Sequence, residues 1–231
     1  METYTLQQLP PAYRRLSIAY FDNVTNSAEI KKELVRSALM EGPEGEEARR
    51  RMDFAFVEGD VIVSRLHLLT AIQTALLTSL PQSSTSSSPA SSSTPSTATP
   101  TPSEPLPESP PLKTKTHNIH SEILLALNTN NNISDALRAY SVSDKTKRLI
   151  VVRIASDSSP PEKDLYAHIA SIVQGQLTSL DTLEANVDWK KVDKLYKLAE
   201  LNQAIRGLGE DERLDRKRAA VVGTVAVKPS T

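Results

Sequence analysis

The stretch Lys147-Arg-Leu-Ile-Val-Val-Arg-Ile154 decides the fold. Its centre is a run of four aliphatic residues, three of them β-branched, and polar turn residues stand on both sides. Branched side chains on Cβ pack well on a pleated surface, and a short apolar run between turn signals is typical of a strand. Residues 147–154 are therefore predicted to be a strand of the central sheet.

Working outward from this strand, short apolar stretches predict further strands at 16–21, 53–57 and 122–127. Apolar residues spaced three or four apart predict helices at about 27–40, 64–80, 133–140, 162–174, 188–198 and 210–227. The charged stretch 44–51 is predicted to be a surface loop. Strands that alternate with helices indicate an α/β fold: a small mixed sheet with helices packed on it.

Residues 81–112 differ in composition from the rest of the chain. Of these 32 residues, 25 are Ser, Thr or Pro, and they include nine of the chain's 15 prolines. Such a segment buries too little apolar surface to offset the entropy lost on ordering. We predict a disordered, low-complexity insert, with 1–80 and 113–231 forming one α/β domain on either side of it.

Composition also excludes several classes of protein. The chain has 231 residues, no cysteine and a formal net charge of −1, which excludes disulfides, thiolate metal sites and a catalytic cysteine. The near-neutral charge argues against a dedicated, strongly basic nucleic-acid binder. Residues 1–11 do not resemble a signal peptide, and no apolar run is long enough to cross a bilayer. We expect a soluble, intracellular protein that does not contact membranes.

The sequence contains no recognisable catalytic motif, so we predict that the protein is not an enzyme and binds neither a cofactor nor a metal. The seven glycines form no phosphate-binding loop, and Ser121 and Glu122 have no predicted orienting partner. His117 and His120 form an H-x-x-H pair, for which two loop or strand-edge histidines are a simpler explanation than a metal site. His67, alone within a helix, is expected to lie half-buried or at the surface.

Two basic segments could contact nucleic acid. Lys113 and Lys115 precede the predicted 122–127 strand and could bind phosphate oxygens, or they could form a solvated entry to that strand. Residues 49–51 are three consecutive arginines, but acidic residues at 44, 46 and 47 offset them, which favours a solvated loop. The residues alone leave the first alternative open.

Several motifs together resemble the kinase-binding subunit family of the KEOPS (EKC) tRNA-modification complex, also called the PRPK-binding protein family. They are, in the family's order, Phe54-Ala-Phe-Val57 through Ala75, the Lys115-to-Leu127 segment with its continuation to Tyr140, Leu149-Ile-Val-Val-x-Ile154, and Lys194-Leu-Tyr-Lys-Leu198. They span nearly the whole chain outside 41–51 and 81–112, as in a fungal member with its own insert. Two departures are Ser141, near which the family usually has glycine, and the glycine-interrupted helix at the carboxy terminus.

The resemblance implies a single-domain, non-catalytic subunit that supports a small atypical kinase/ATPase by direct binding and reaches the other subunits through it. It also implies help in recruiting tRNA, including its 3′ end, for threonylcarbamoylation of the adenosine beside the anticodon. Links to telomeres and transcription would place the protein in the nucleus, including telomeric chromatin, and in the cytoplasm. The family's kinase-binding helix falls on four residues here: Leu214, Val221, Val222 and Val225.

The family's most recognisable loop falls on four residues predicted to contact tRNA: Lys113, Lys115, His117 and Asn118. From the sequence alone, the apolar stripe of the 210–227 helix could equally pack on the chain's own core, because helix-in-groove binding uses the same spacing. Two alternatives to the kinase-binding subunit stay open at this point: a stand-alone RNA-binding module and an unrecognised small hydrolase.

Overall fold

The computed structural model describes residues 1–81, 112–116, 118–156 and 162–228. Within them, five strands form one sheet in the order β1-β2-β4-β3, and β5 also pairs with β2. The strands are β1 (Glu2–Thr5), β2 (Arg15–Asp22), β3 (Ala55–Glu58), β4 (Leu149–Ala155) and β5 (Gln176–Thr178). Each of their pairings is antiparallel. The α/β class is confirmed, although these strands pair antiparallel where a mixed sheet was expected.

The predicted central strand is β4, which lies between β2 and β3. The four aliphatic residues at its centre, Leu149 to Val152, are each at most 1% exposed. Helices cover the sheet on both faces, so side chains pointing to either face are buried and the strand is continuously apolar. The short strands β1 and β5 were not predicted, because three or four residues carry too little pattern.

Apart from α2 and α4, which were not predicted as helices, the longer helices lie close to the predicted positions. Among the described residues they are α1 (Ser27–Leu39), α2 (Gly42–Arg51), α3 (Arg65–Ser79), α4 (Ile119–Leu127), α5 (Ile133–Tyr140), α6 (Glu162–Ile172), α7 (Trp189–Leu195), α8 (Ala199–Ala204) and α9 (Glu210–Ala226). The helix predicted at 188–198 ends at Leu195, and α8 follows as a separate short helix.

Two apolar clusters lie on opposite faces of the sheet. The larger one joins the side chains of Ile18 and Tyr20 in β2 to buried residues of α3, α4 and α9. The smaller one joins Ala19 and Phe21 to Ile30 of α1 and residues of α6. Neighbouring residues of a strand point to opposite faces, so β2 contributes alternately to both clusters.

The predicted strand at 122–127 is wrong, since these residues belong to α4. Ile123 to Leu127 are all buried, and a short, fully apolar run looks the same in a strand and in a helix surrounded by other elements. The start of α4 is marked by Asn118, whose side chain accepts a hydrogen bond from the Ser121 backbone N–H at 2.8 Å. Asparagine is favoured at this capping position.

The predicted loop at 44–51 is also wrong, because these residues form most of α2. Three arginines in its last turn complement the negative end of the helix dipole. The Arg49 guanidinium donates to the Ser37 and Met40 carbonyl oxygens at 3.2 and 2.7 Å, which ties α2 to the end of α1. A Cβ at Gly45 would lie 2.3 Å from the Met40 oxygen, so glycine permits this close packing.

The two ends of the Ser/Thr/Pro-rich segment meet in space. The Lys113 backbone N–H donates to the Ser79 carbonyl oxygen at 2.7 Å, so the chain re-enters the fold where α3 ends. The expected disorder of 81–112 concerns residues that, apart from Pro81 and Leu112, lie outside those described. That expectation and the single-domain division stay predictions. In the described part of the chain, no helix is long and apolar enough to cross a membrane.

Candidate interaction surfaces

The apolar stripe predicted for kinase binding lies on α9 and divides into two pairs. Val221 and Val225 are 0% and 1% exposed and belong to the larger core cluster, in which α9 packs on α3. Leu214 and Val222 are half-buried. Half of the stripe therefore stabilises the chain's own fold, and the kinase-binding role of all four residues stays a prediction.

Polar contacts fix the inner face of α9. The Lys217 ammonium lies 2.6 Å from Asp193 Oδ1 and 4.5 Å from the ring centroid of Trp189. Lys217 is only 8% exposed, so this ion pair and cation–π contact are shielded from water and hold α9 against α7. The outer face of α9 is open to solvent at Asp211, Asp215, Ala219, Gly223, Thr224 and Val227.

The segment predicted to contact tRNA borders a shallow pocket, which we call the lysine pocket. Both Lys113 and Lys115 are exposed and line it. The other lining residues come from α3, from α4, from the loop before α5 and from the segment after α9: Thr74, Thr78, Ser79, Glu122, Leu125, Ala126, Asn131 and Lys228. The pocket thus combines three ammonium groups with hydroxyl and amide groups.

Lys228, which sequence reasoning missed, connects α9 to the end of α4. Its Nζ donates to the Leu125 carbonyl oxygen, to that of Asn128 at 2.9 Å and to that of Asn130 at 3.1 Å. The last carbonyls of a helix lack helical partners and carry partial negative charge, so they suit an ammonium group. Burial, and then the charge of Lys115, lowers the pKa of Lys228 to about 8, although Glu122 opposes this shift.

Asn118, at the edge of this surface, stabilises the start of α4. Its side-chain oxygen caps α4, and Thr116 just before it donates its backbone N–H to Glu122 Oε1. His117 lies outside the described residues. The structure therefore brings Lys113 and Lys115 together at one pocket, while Asn118 is engaged at the start of α4. The tRNA contacts of all four residues stay predictions.

His120 of the H-x-x-H pair is bound on both ring nitrogens. Its Nε2 accepts from the Ile154 backbone N–H at 3.1 Å, so its Nδ1 carries the proton that is donated to Asp53 Oδ1 at 2.9 Å. Burial raises the pKa of Asp53, but the hydrogen bond from His120 and the charge of Arg153 outweigh it and lower that pKa. The described residues contain no group of three or more side chains that could hold a metal ion.

His67 is fully buried, where a half-buried or surface position was expected. Its Nδ1 accepts from the Val63 backbone N–H at 3.3 Å, and its Nε2 lies 2.9 Å from the Tyr196 hydroxyl, which donates to the Leu127 carbonyl oxygen at 2.8 Å. Burial lowers the pKa of His67 to about 3, so the ring is neutral at physiological pH. This chain of hydrogen bonds joins α3, α4 and the end of α7, and it leaves neither ring nitrogen of His67 for a ligand.

Known proteins resemble the chain over almost its full length. The model of the family described as "Kinase binding protein CGI-121" matches residues 21–229. The chain belongs to this family. The resemblance inferred from the ordered motifs is thereby confirmed.

Curated relatives of the family come from fungi. A protein of Cryptococcus neoformans var. neoformans serotype D, named "EKC/KEOPS complex subunit CGI121", is 39% identical over 231 residues, with 99% of each chain covered. Proteins with the same name from Gibberella zeae and Aspergillus terreus are 28% and 26% identical over 239 residues and also align over nearly their whole length. The similarity to CGI-121 family members extends through the sheet, α9 and the lysine pocket alike.

Proposed function

We propose that this protein is a non-catalytic subunit of an EKC/KEOPS complex that binds and supports the complex's small atypical kinase/ATPase. The observation that carries the proposal is the match to the kinase-binding family over residues 21–229, together with 39% identity to a named complex subunit over 99% of both chains. Contacts with the other subunits would run through the kinase. The two buried histidines, His67 and His120, each have partners on both ring nitrogens within the fold, which supports a binding role.

The kinase surface we propose is centred on the exposed part of α9. Leu214 and Val222 are half-buried on a helix whose inner face is already fixed by Lys217, Val221 and Val225. A half-buried apolar side chain can lose its remaining contact with water when a partner covers it, which favours association. The predicted stripe would thus serve two purposes, with one pair in the core and the other available to the kinase.

We further propose that the protein helps to recruit tRNA, including its 3′ end, for threonylcarbamoylation of the adenosine beside the anticodon. The support is the lysine pocket, where Lys113 and Lys115 are exposed and can face phosphate oxygens, and where Thr74 and Thr78 offer hydroxyl groups. A function in telomere maintenance and transcription, in the nucleus and the cytoplasm, is proposed on the family resemblance alone. A stand-alone RNA-binding module remains the second candidate, favoured by the same pocket.

Co-purification of the full chain with its kinase tests the proposal. We expect the double variant L214E/V222E to lose at least about tenfold in kinase affinity, because two carboxylates would have to be desolvated at the contact. The matched control is L39E on α1, where a 77% exposed leucine receives the same charge away from α9. If the wild-type chain does not bind the kinase, the proposed function is wrong; if L214E/V222E binds like L39E, the assigned surface is wrong.

A further inference from the structure

A second group of basic side chains surrounds Phe54, just before β3. The Arg153 guanidinium carbon lies 5.3 Å from the Phe54 ring centroid, and the His168 ring lies 5.4 Å from it at 73°. Arg51, the last residue of α2, stands three positions before Phe54 and is exposed. We call Arg51, Arg153 and His168 the arginine cluster.

The charges of Arg51 and Arg153 both act on His168. Burial, followed by the positive charges of Arg153 and Arg51, lowers the pKa of His168, although a hydrogen bond to the Arg51 backbone opposes the shift. Both guanidinium groups act on the same imidazole, so an anion bound beside His168 would be attracted to two positive charges. The positive charge of Arg51 is favourable at the carboxy-terminal end of a helix. Arg153 lies on a strand, so the helix dipole does not explain why a positive charge stands there.

Counter-charge is scarce around this cluster. Within the described ranges, neither Arg51 nor Arg153 has a carboxylate oxygen within 4.0 Å, whereas Arg148 pairs with Asp60 at 2.6 Å. The Asp53 carboxylate lies near enough for the charge of Arg153 to lower its pKa, but it forms no direct ion pair with Arg51 or Arg153. Two guanidinium groups at the surface therefore keep donors available for a ligand.

The arginine cluster lies at the end of the sheet where α4 begins, and α4 follows the Lys113–Lys115 segment in the chain. In the antiparallel register of β3 and β4, Ala55 lies opposite Val152, so Asp53 lies near Ile154. His120, in the first turn of α4, binds both Asp53 and the Ile154 backbone. The segment that enters α4 thus approaches this end from one face of the sheet, and the arginine cluster lies on the other face.

We propose that Arg51, Arg153 and His168 bind phosphates of the RNA strand that Lys113 and Lys115 contact, where that strand passes round this end of the sheet. The proposal rests on the tRNA role proposed above. Arginine matches phosphate with paired N–H donors, and its contact with an aromatic ring orients the guanidinium before binding. The recognised feature is the sugar–phosphate backbone, so the contact contributes affinity without base specificity.

The test uses the full chain and an unmodified tRNA transcript, with affinity measured between roughly 50 and 200 mM salt. R51A/R153A is expected to weaken binding by about tenfold near 100 mM salt and to reduce the slope of log affinity against log salt by about two. The matched control, R36A/R138A, removes two exposed arginines whose ion pairs lie within their own helices. K113A/K115A reports separately on the lysine pocket, and circular dichroism verifies that each variant is folded.

The outcomes separate this inference from the tRNA role itself. Weaker binding of R51A/R153A than of R36A/R138A, with the reduced salt slope, supports it. If K113A/K115A loses affinity while R51A/R153A matches R36A/R138A, the arginine cluster does not bind RNA although the tRNA role stands. If the wild-type chain binds no tRNA, both proposals fail. Unchanged tRNA binding combined with weaker kinase binding of R51A/R153A would assign the cluster to an acidic protein surface and overturn the inference.

Discussion

The helices α4 and α9 both pack on α3, yet they differ in how they are surrounded. In α4, eight of nine residues are buried, because α3, α5, β3 and β4 all contact it. In α9, three of 17 residues are buried, and it packs mainly on α3, with further contacts to α7 and α8. A helix that is enclosed on all sides is apolar on every face, so its sequence pattern can be mistaken for that of a buried strand. A helix packed on one side keeps an apolar stripe, which can be mistaken for a docking surface.

The largest expected effect separates the two pairs within the α9 stripe. V221D/V225D should cost more than about 5 kcal/mol of unfolding free energy, because it leaves two unpaired carboxylates in the larger core cluster. L214D/V222D, at half-buried positions, should cost only about 1–2 kcal/mol. Urea unfolding followed by circular dichroism measures both. Equal losses in the two variants would mean that α9 does not pack as described.

This difference also explains how much the sequence could predict. Spacing located α1, α3 and α9, and β-branched runs located β4, because these signals are local. Periodicity could not identify α4, whose Ile123 and Leu127 are each 0% exposed. Neutralising charges made 44–51 look like a loop, although the sequence contained a helix dipole signal in its final arginines.

Among the residues of the candidate surfaces, too, those marked by local sequence signals were predicted and those positioned by distant contacts were not. Lys113 and Lys115 were found because they lie two positions apart in the sequence and match a family motif. Lys228 was missed because the carbonyls it binds lie roughly 100 residues earlier in the chain. His67 was expected near the surface because its partner Tyr196 is 129 residues away. Contacts between distant segments leave no periodic signal in a single sequence.

The next effect tests the buried contact that joins α3 to the end of α4. The pKa of His67 is about 3 in the folded protein and about 6.5 when unfolded, so only the unfolded chain binds this proton between these values. The contribution of neutral His67 to the unfolding free energy is therefore complete above pH 6.5. It is lost as the pH falls towards 3, and the total loss is on the order of 4 kcal/mol. In H67Q this loss is absent, so its stability deficit relative to wild type should shrink by about 3 kcal/mol between pH 7 and pH 4.

Denaturant unfolding at several pH values measures this deficit. H168Q provides the control, because His168 is half-buried and its replacement should remove a smaller acid-dependent loss. Parallel pH curves for wild type and H67Q would show that His67 is solvated. They would also contradict the description of α4 as a helix enclosed on all sides, in contrast to α9, which packs on one side only.

The smallest expected change in stability tests what defines the start of α4, which the apolar pattern of the sequence does not mark. N118A removes the side-chain oxygen that accepts the Ser121 N–H and should cost about 1 kcal/mol. N118S keeps a capping oxygen and should recover most of that stability, while it removes the amide group that tRNA would contact. If N118S is stable but binds tRNA more weakly than wild type, Asn118 serves both the cap and the RNA surface. If N118A is as stable as wild type, the cap does not define this end, and α4 is held by its enclosure alone.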